Sequence, residues 1–267
     1  MSDRNEALAE IHENSWLMET AKDKDISLEA MKGYRLIPRV AIVQAMSKEE
    51  LKAIGNEGCV INTGNKSVIA GPGVEFKVVP LFFHINWLRL PDLKDLQGSI
   101  SETKDPNDII AIKARKKETR IEVYPNNPAN KYIYCENFNF ICMIYGDHAF
   151  AGSMICIPFN RGEHYTGIMW SNKIMTRFIP GMPGQVAKSF SQVYTLRTTN
   201  HKNKVGQAWK GFEFVDALPM FIRQEEYEAF KAAHLSIVDA YSASSLGTNY
   251  DTQEDVIPPA DASERDM

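Results

Sequence analysis

Five cations fall within eight residues at Lys113, Arg115, Lys116, Lys117 and Arg120. Such a group creates a strong local positive field. The chemistry it suits is the neutralisation of phosphates, which releases condensed counterions and gives sequence-tolerant affinity for nucleic acid. On a strand, Lys113, Arg115 and Lys117 would share one face, with Lys116 and Arg120 on the other. In a loop all five could follow a phosphate backbone. A solubilising hairpin is the competing reading of an isolated cluster.

Aromatic side chains interleave with further cations, as a single-strand binder requires: flat rings for bases and charges for the backbone between them. Alternation along residues 74–90 predicts Lys77, Phe83, Trp87 and Arg89 on one face. Tyr132 and Tyr134 alternate with Lys131 and Ile133. Later come Tyr165, Trp170, Lys173 and Arg177, then Tyr194, Arg197, His201, Lys202 and Lys204, followed by Trp209 and Lys210. Core packing accounts for any one of these rings; their recurrence beside Lys and Arg raises the group above its members. The predicted DNA-binding set is therefore Lys113, Arg115, Lys116, Lys117 and Arg120 for phosphates and Trp87, Tyr132 and Tyr134 for stacking, with Arg89 beside them.

Catalytic arrangements are absent or weak. There is no G-x-x-x-x-G-K-[ST] and no G-x-S-x-G, and G-P-G at 71–73 reads as a turn. The six histidines include no H-x-x-x-H pair. E-H-Y at 163–165 and D-H at 147–148 could contribute to a metal site but lack a clustered partner. Cys59, Cys135, Cys142 and Cys156 form no C-x-x-C pair and read as buried reduced thiols. The expectation is a non-enzymatic protein with neither cofactor nor metal.

The elements that must position these residues are mostly strands. The chain has 267 residues, 44% of them hydrophobic, with a formal net charge of −4. An amphipathic helix is predicted over 4–22. Extended chain follows from Leu36, then a short helix opened by a Ser47/Glu50 capping box and ending near Gly55. Two short strands flank a T-G-N turn. Long runs follow at 74–90, where Pro80 marks an edge or a bulge, and over K-Y-I-Y-C-E-N-F-N-F-I-C-M-I-Y. Further strands are read at G-S-M-I-C-I-P-F, Y-T-G-I-M-W-S, Q-V-Y-T-L-R-T-T and W-K-G-F-E-F-V-D. A helix over 223–241 is expected to turn Tyr227, Phe230, Leu235 and Val238 towards one face. The fold expected is mainly β (α+β), an OB-like Greek-key barrel with inserted loops and flanking helices. The organisation is an N-terminal helical segment at 1–33, a β-rich binding domain at 34–241 and a disordered acidic tail at 242–267. From Asp251 onward six acids stand against Arg265, a local charge of −5 that leaves +1 for the rest of the chain.

Several stretches are similar to known proteins. R-L-I-P-R-V-A-I-V-Q-A-M-S-K-E, N-T-G and V-V-P-L-F-F-H-I-N-W, with the later K-S-F, N-K-V-G-Q-A-W-K-G-F-E-F and E-E-Y-E-A-F, resemble phage single-stranded DNA-binding proteins. The likeness is nearest to podovirus early DNA-binding RNA-polymerase cofactor proteins and covers about residues 34–240. It implies an OB-like DNA-binding body, a variable C-terminal tail, homo-oligomerisation and work with phage RNA polymerase or replication proteins. Relatives with C-x-x-C pairs have no counterpart here, so no zinc is carried over. The tail ends R-D-M, unlike the Ile-Pro-Phe type terminus of bacterial single-strand binders. The function expected is sequence-tolerant single-strand protection in the host cytoplasm during infection, with no membrane partner. A virion-associated assembly protein is the alternative, and a nuclease using dispersed Asp, Glu and His is a weaker one.

Overall fold

The computed structural model describes residues 35–91, 100–124, 127–204, 206–215, 220–243 and 246–248. The helix expected over 4–22 and the acidic run from Asp251 lie outside the described residues. In chain order the elements are β1 (Arg35–Ile37), β2 (Val40–Ile42), α1 (Glu49–Ile54), β3 (Val60–Asn62), β4 (Ser67–Ala70), β5 (Phe76–Pro91), β6 (Ser101–Thr103), α2 (Ile109–Arg115), β7 (Ile121–Tyr124), β8 (Asn127–Tyr145), β9 (Met154–Phe159), α3 (His164–Thr176), β10 (Gln192–Lys202), β11 (Ala208–Phe214), β12 (Met220–Phe221), α4 (Tyr227–Ser242) and β13 (Leu246–Thr248).

The spine is one antiparallel pair, β5 with β8, running in register from Lys77↔Tyr145 to Pro91↔Tyr132. Both strands are rich in β-branched and aromatic residues, which pack well on a pleated surface. The register slips by one residue between Pro80 and Phe82. Pro80 has no N–H for a ladder and sits at this bulge, a position where a strand tolerates proline. The extra residue inverts the alternation. Lys77 therefore lies on the opposite face from Phe83, Trp87 and Arg89, contrary to the strict alternation expected from sequence.

The main sheet has eight strands in the order β11-β10-β5-β8-β7, with β12, β6 and β9 attached to β10, β5 and β8. Its end strands β11 and β7 do not pair with each other. The β-rich α+β class is as expected, but the sheet is open rather than closed into an OB-like barrel. Closure is unnecessary because other elements cover both faces, as a two-sided apolar sheet requires. On one face, Phe138, Phe140, Ile157 and Phe159 pack with Trp170 of α3 and with Val40, Ile42, Val60 and Ile69 of the small β2-β3-β4 sheet. Trp170 is fully buried and stacks on Phe140 at 4.2 Å. On the other face, Val79, Leu81, Ile141, Cys156 and Val193 pack with Phe230 and Ile237 of α4.

Local expectations fail where packing overrides them. Y-T-G-I-M-W-S is part of α3, not a strand, because burying Trp170 needs a helix lying close to the sheet. Gly167 makes that approach possible: a Cβ there would stand 2.7 Å from Cβ of Phe159. Ser47 does not cap α1; its Oγ accepts from the backbone N of Gln44 at 2.8 Å and closes the preceding turn. On α4 the buried pair is Phe230 and Ile237, whereas Leu235 is half exposed. Leu246–Thr248, expected within an unordered tail, pair in parallel with β1. All four cysteines are free thiols, and burial pushes that of Cys135 up to about 11. Among the described residues no helix is long and apolar enough to cross a membrane.

Buried polar groups tie these layers together. Asn86, Asn137, Asn139 and Asn160 are buried. Asn86 Oδ1 accepts from the amides of Asn137 and Asn139, at 2.9 and 2.7 Å, and Asn160 donates to Asn137 Oδ1 at 3.1 Å. Glu163, also buried, accepts from Trp209 Nε1 at 2.8 Å and from the Phe212 backbone N at 3.0 Å. Gly211 leaves the space this carboxylate occupies, since a Cβ there would collide with Glu163 Oε1. Gln44 pairs both ends of its amide with the backbone of Lys210, at 2.8 and 2.9 Å, and so anchors the small sheet to β11.

Two consequences can be measured by urea unfolding. Gly211→Ala must displace a buried carboxylate from its donors and should cost about 2 kcal/mol or more, read as a lower midpoint with an unchanged slope. His84 is buried beside Phe82 and Tyr241, and burial, with Lys104 adding to it, lowers its pKa from 6.5 to about 4. The unfolded chain then binds a proton that the folded chain refuses. Stability is full above about 6.5 and is lost as pH falls towards 4, by about 3 kcal/mol from this group. His84→Phe should flatten that stretch of the stability profile.

Candidate nucleic-acid interface

The cationic segment is neither strand nor loop over its first half; it forms α2. Asp108 opens the helix, its Oδ1 accepting from the backbone N of Ile110 at 2.7 Å. Ala111 and Ala114 are fully buried and let the helix lie directly on Trp87 and Tyr134. A larger residue at either position would hold the helix away from the rings. Arg120 turns back after the helix, its Nε donating to the carbonyl of Ala114 at 2.8 Å. Lys116 and Lys117 stand exposed on the connecting turn.

Three cation-over-ring pairs result. The Arg115 guanidinium lies 4.5 Å from the Trp87 ring centre, Lys113 Nζ 4.9 Å from that of Tyr134, and the Arg89 guanidinium 4.7 Å from that of Tyr132. Register explains the grouping: Trp87 pairs with Glu136, Arg89 with Tyr134 and Pro91 with Tyr132. Trp87 and Tyr134 retain only 7% and 5% of their exposure, and Tyr132 is half buried. The rings predicted for stacking are thus roofed by the cations predicted for phosphates. A base could reach Trp87 or Tyr134 only after Arg115 or Lys113 moved aside. Phe83, further along the same face and packed against Phe138 and Phe140, stays 37% exposed.

Two carboxylates complete the arrangement. Glu122 Oε2 accepts from Lys113 Nζ at 2.5 Å and from the Tyr134 hydroxyl at 2.6 Å. The lysine and then the phenol hold Glu122 below the usual carboxylate range, while burial pushes the Tyr134 phenol up. Glu136 Oε1 accepts from Trp87 Nε1 at 3.2 Å and lies 3.9 Å from Arg115 Nε, and its Oε2 is 3.2 Å from His164 Nε2. The bond with His164 is the main reason Glu136 is also held low, with Trp87 contributing. Arg115 Nη1 donates to the Pro106 carbonyl at 3.0 Å and Arg89 Nη2 to Ser101 Oγ at 2.8 Å.

The fold thus gathers all nine predicted residues at one end of the sheet. It does not bring Tyr194 to them. Tyr194 pairs with Val78, nine positions along β5 from Trp87, or roughly 30 Å. Trp170, Tyr194 and Trp209 are buried in the body, and Arg197 is paired with Glu213 and Glu75. Glu163 and His164, read together as a metal possibility, diverge: Glu163 binds Trp209 and His164 faces Glu136. Sequence reasoning missed Glu122 and Glu136, and noted His164 only beside Glu163 as a metal possibility. Alternation with Tyr132 and Tyr134 already put Glu136 on their face; nothing local pointed to its contact with His164, which arrives on α3.

A family model described as Pam3 phage gp34-like protein matches residues 14–241. No curated protein and no solved structure matches.

The electrostatics give a test of the Glu136 contacts. Its folded pKa lies below the ordinary 4.5, so the stability it contributes is full above that value and disappears as pH falls through the lower, folded one. Urea midpoints should fall more steeply for the natural chain, as pH drops through and below the ordinary carboxylate value, than for Glu136→Gln, which cannot take up that proton.

Proposed function

The chain belongs to the Pam3 phage gp34-like protein family, and from that premise we propose that it is a phage single-stranded DNA-binding protein without catalytic chemistry of its own. The observation that carries this reading is the convergence just described: cations from α2, the following turn and β5 meet three aromatic rings at one end of the sheet. Nothing in local sequence required the 87–89 and 113–120 segments to meet. Phosphates would lie along Lys116, Lys117 and the outward sides of Lys113, Arg115 and Arg120, with bases towards Trp87, Tyr132 and Tyr134. Binding of this kind tolerates any sequence, because every base has a flat face and every nucleotide a phosphate. Its use in infection would be to protect exposed strands in the host cytoplasm and to recruit RNA polymerase or replication proteins, with several copies acting together.

One observation favours a second reading, an assembly protein of the virion. Strand β7 ends the sheet, pairs only with β8 among the described residues, and exposes Ile121 and Val123. An apolar edge of that kind can add a strand from a partner. Purified protein that forms large oligomers and ignores oligonucleotides would favour it.

Fluorescence anisotropy with oligo-dT at several salt concentrations tests the binding reading. Affinity should fall as salt rises, and Lys116→Ala with Lys117→Ala should reduce the log–log slope by about 1.4, the share of two phosphate contacts on a single strand. Absence of binding at low salt overturns the reading; an unchanged slope removes the turn from the contact surface.

A further inference from the structure

Two of the cations at this end of the sheet face carboxylates of the same chain. Lys113 is held by Glu122, and Arg115 lies within Coulombic reach of Glu136. We infer that Glu122 and Glu136 act as internal competitors for the strand, holding Lys113 and Arg115 across Tyr134 and Trp87 until a polyanion draws the cations away and uncovers the rings for bases. This inference rests on the single-strand reading and adds the regulation of its site.

Three observations support it. First, both cations reach solvent, with side-chain exposures of 24% for Lys113 and 42% for Arg115, so each can swing outward without crossing the core. Second, the same carboxylates anchor the rings by their polar edges, Tyr134 through its hydroxyl at 2.6 Å and Trp87 through Nε1 at 3.2 Å. Departure of the cation therefore leaves each ring anchored at its polar edge, and α2, which packs on both rings through Ala111 and Ala114, must shift with it for a base to stack. Third, the exchange is favourable in kind. The cation exchanges a carboxylate for a phosphate, and its weak contact over a ring near solvent gives way to the stronger contact of a stacked base. The Arg89–Tyr132 pair differs, since Arg89 donates to a neutral hydroxyl, Ser101 Oγ. Tyr132 keeps more exposure than Trp87 or Tyr134, although Arg89 lies 4.7 Å over its ring. The site would thus engage a strand first through Lys116, Lys117 and Tyr132 and then through the two covered rings.

The test compares oligo-dT affinities of three proteins at low salt. Glu122→Gln with Glu136→Gln keeps the size of both side chains and one acceptor oxygen in each, and removes both negative charges. It should bind at least tenfold more tightly than the natural chain. Glu49→Gln with Glu57→Gln makes the same change in net charge at exposed positions near the small sheet and should shift affinity by less than twofold. If the natural chain binds and the first variant gains no more than the second, the internal-competitor inference is overturned while the binding reading stands. If no protein binds, both fall. A readout on the natural chain avoids any folding defect: 5-fluorotryptophan labelling, with Trp87 assigned by Trp87→Phe. Saturating oligo-dT should shift the Trp87 fluorine resonance, and an unmoved resonance on a binding protein overturns the inference.

Discussion

The pairing of β5 with β8 is the constraint on which the rest depends. Its register alone puts Trp87 opposite Glu136 and Arg89 opposite Tyr134. Because side chains alternate with a period of two, a slip of one residue would send every one of these groups to the other face. The bulge after Pro80 is part of the same constraint. It lets residues 76–78 serve the core that continues into β10, while residues 83–89, with the parity inverted, still face α2 and α3. Without it, Trp87 and Arg89 would lie under α4.

Polar groups inside the body serve the same end. The asparagines around Asn86 link β5, β8 and the segment after β9, and each amide left unpaired in that setting would cost about 1–3 kcal/mol. Such a network penalises the alternative registers that an apolar ladder would tolerate. Glu163 does the same between the start of α3 and the β10–β11 hairpin, joining Trp209 and Phe212 to the helix that carries His164. The position of His164 against Glu136 therefore depends on the burial of the residue beside it, on the body side of the cationic surface.

That surface combines opposed tendencies. Lysine and arginine stems cover aromatic faces while their charged ends remain near water. The carboxylates beneath them lower the local field yet hold the rings in place. The result is a region in which Lys113 and Arg115 face carboxylates, while Lys116 and Lys117 stand exposed on the turn that follows. A partner that brings many anionic groups at once can compete with two carboxylates, whereas an isolated anion competes poorly.

The cationic cluster, the long strands at β5 and β8, the β9 strand, the β10–β11 pair and the final helix were all legible in the sequence, because period-two alternation and charge density are local properties. The nine candidate residues could also be chosen from type and spacing. What the sequence did not contain was their company. That Lys113 and Arg115 sit on a helix follows from two alanines needing to lie flat on Trp87 and Tyr134, a contact between segments at least twenty positions apart. Whether a ring is open or roofed depends on which side chain the fold lays across it, and neither residue's own neighbours record that. The open sheet in place of a barrel, the helix over Y-T-G-I-M-W-S and the inversion at Pro80 share the same cause. Each was settled by the burial of distant apolar faces, a free-energy term that only the assembled chain possesses.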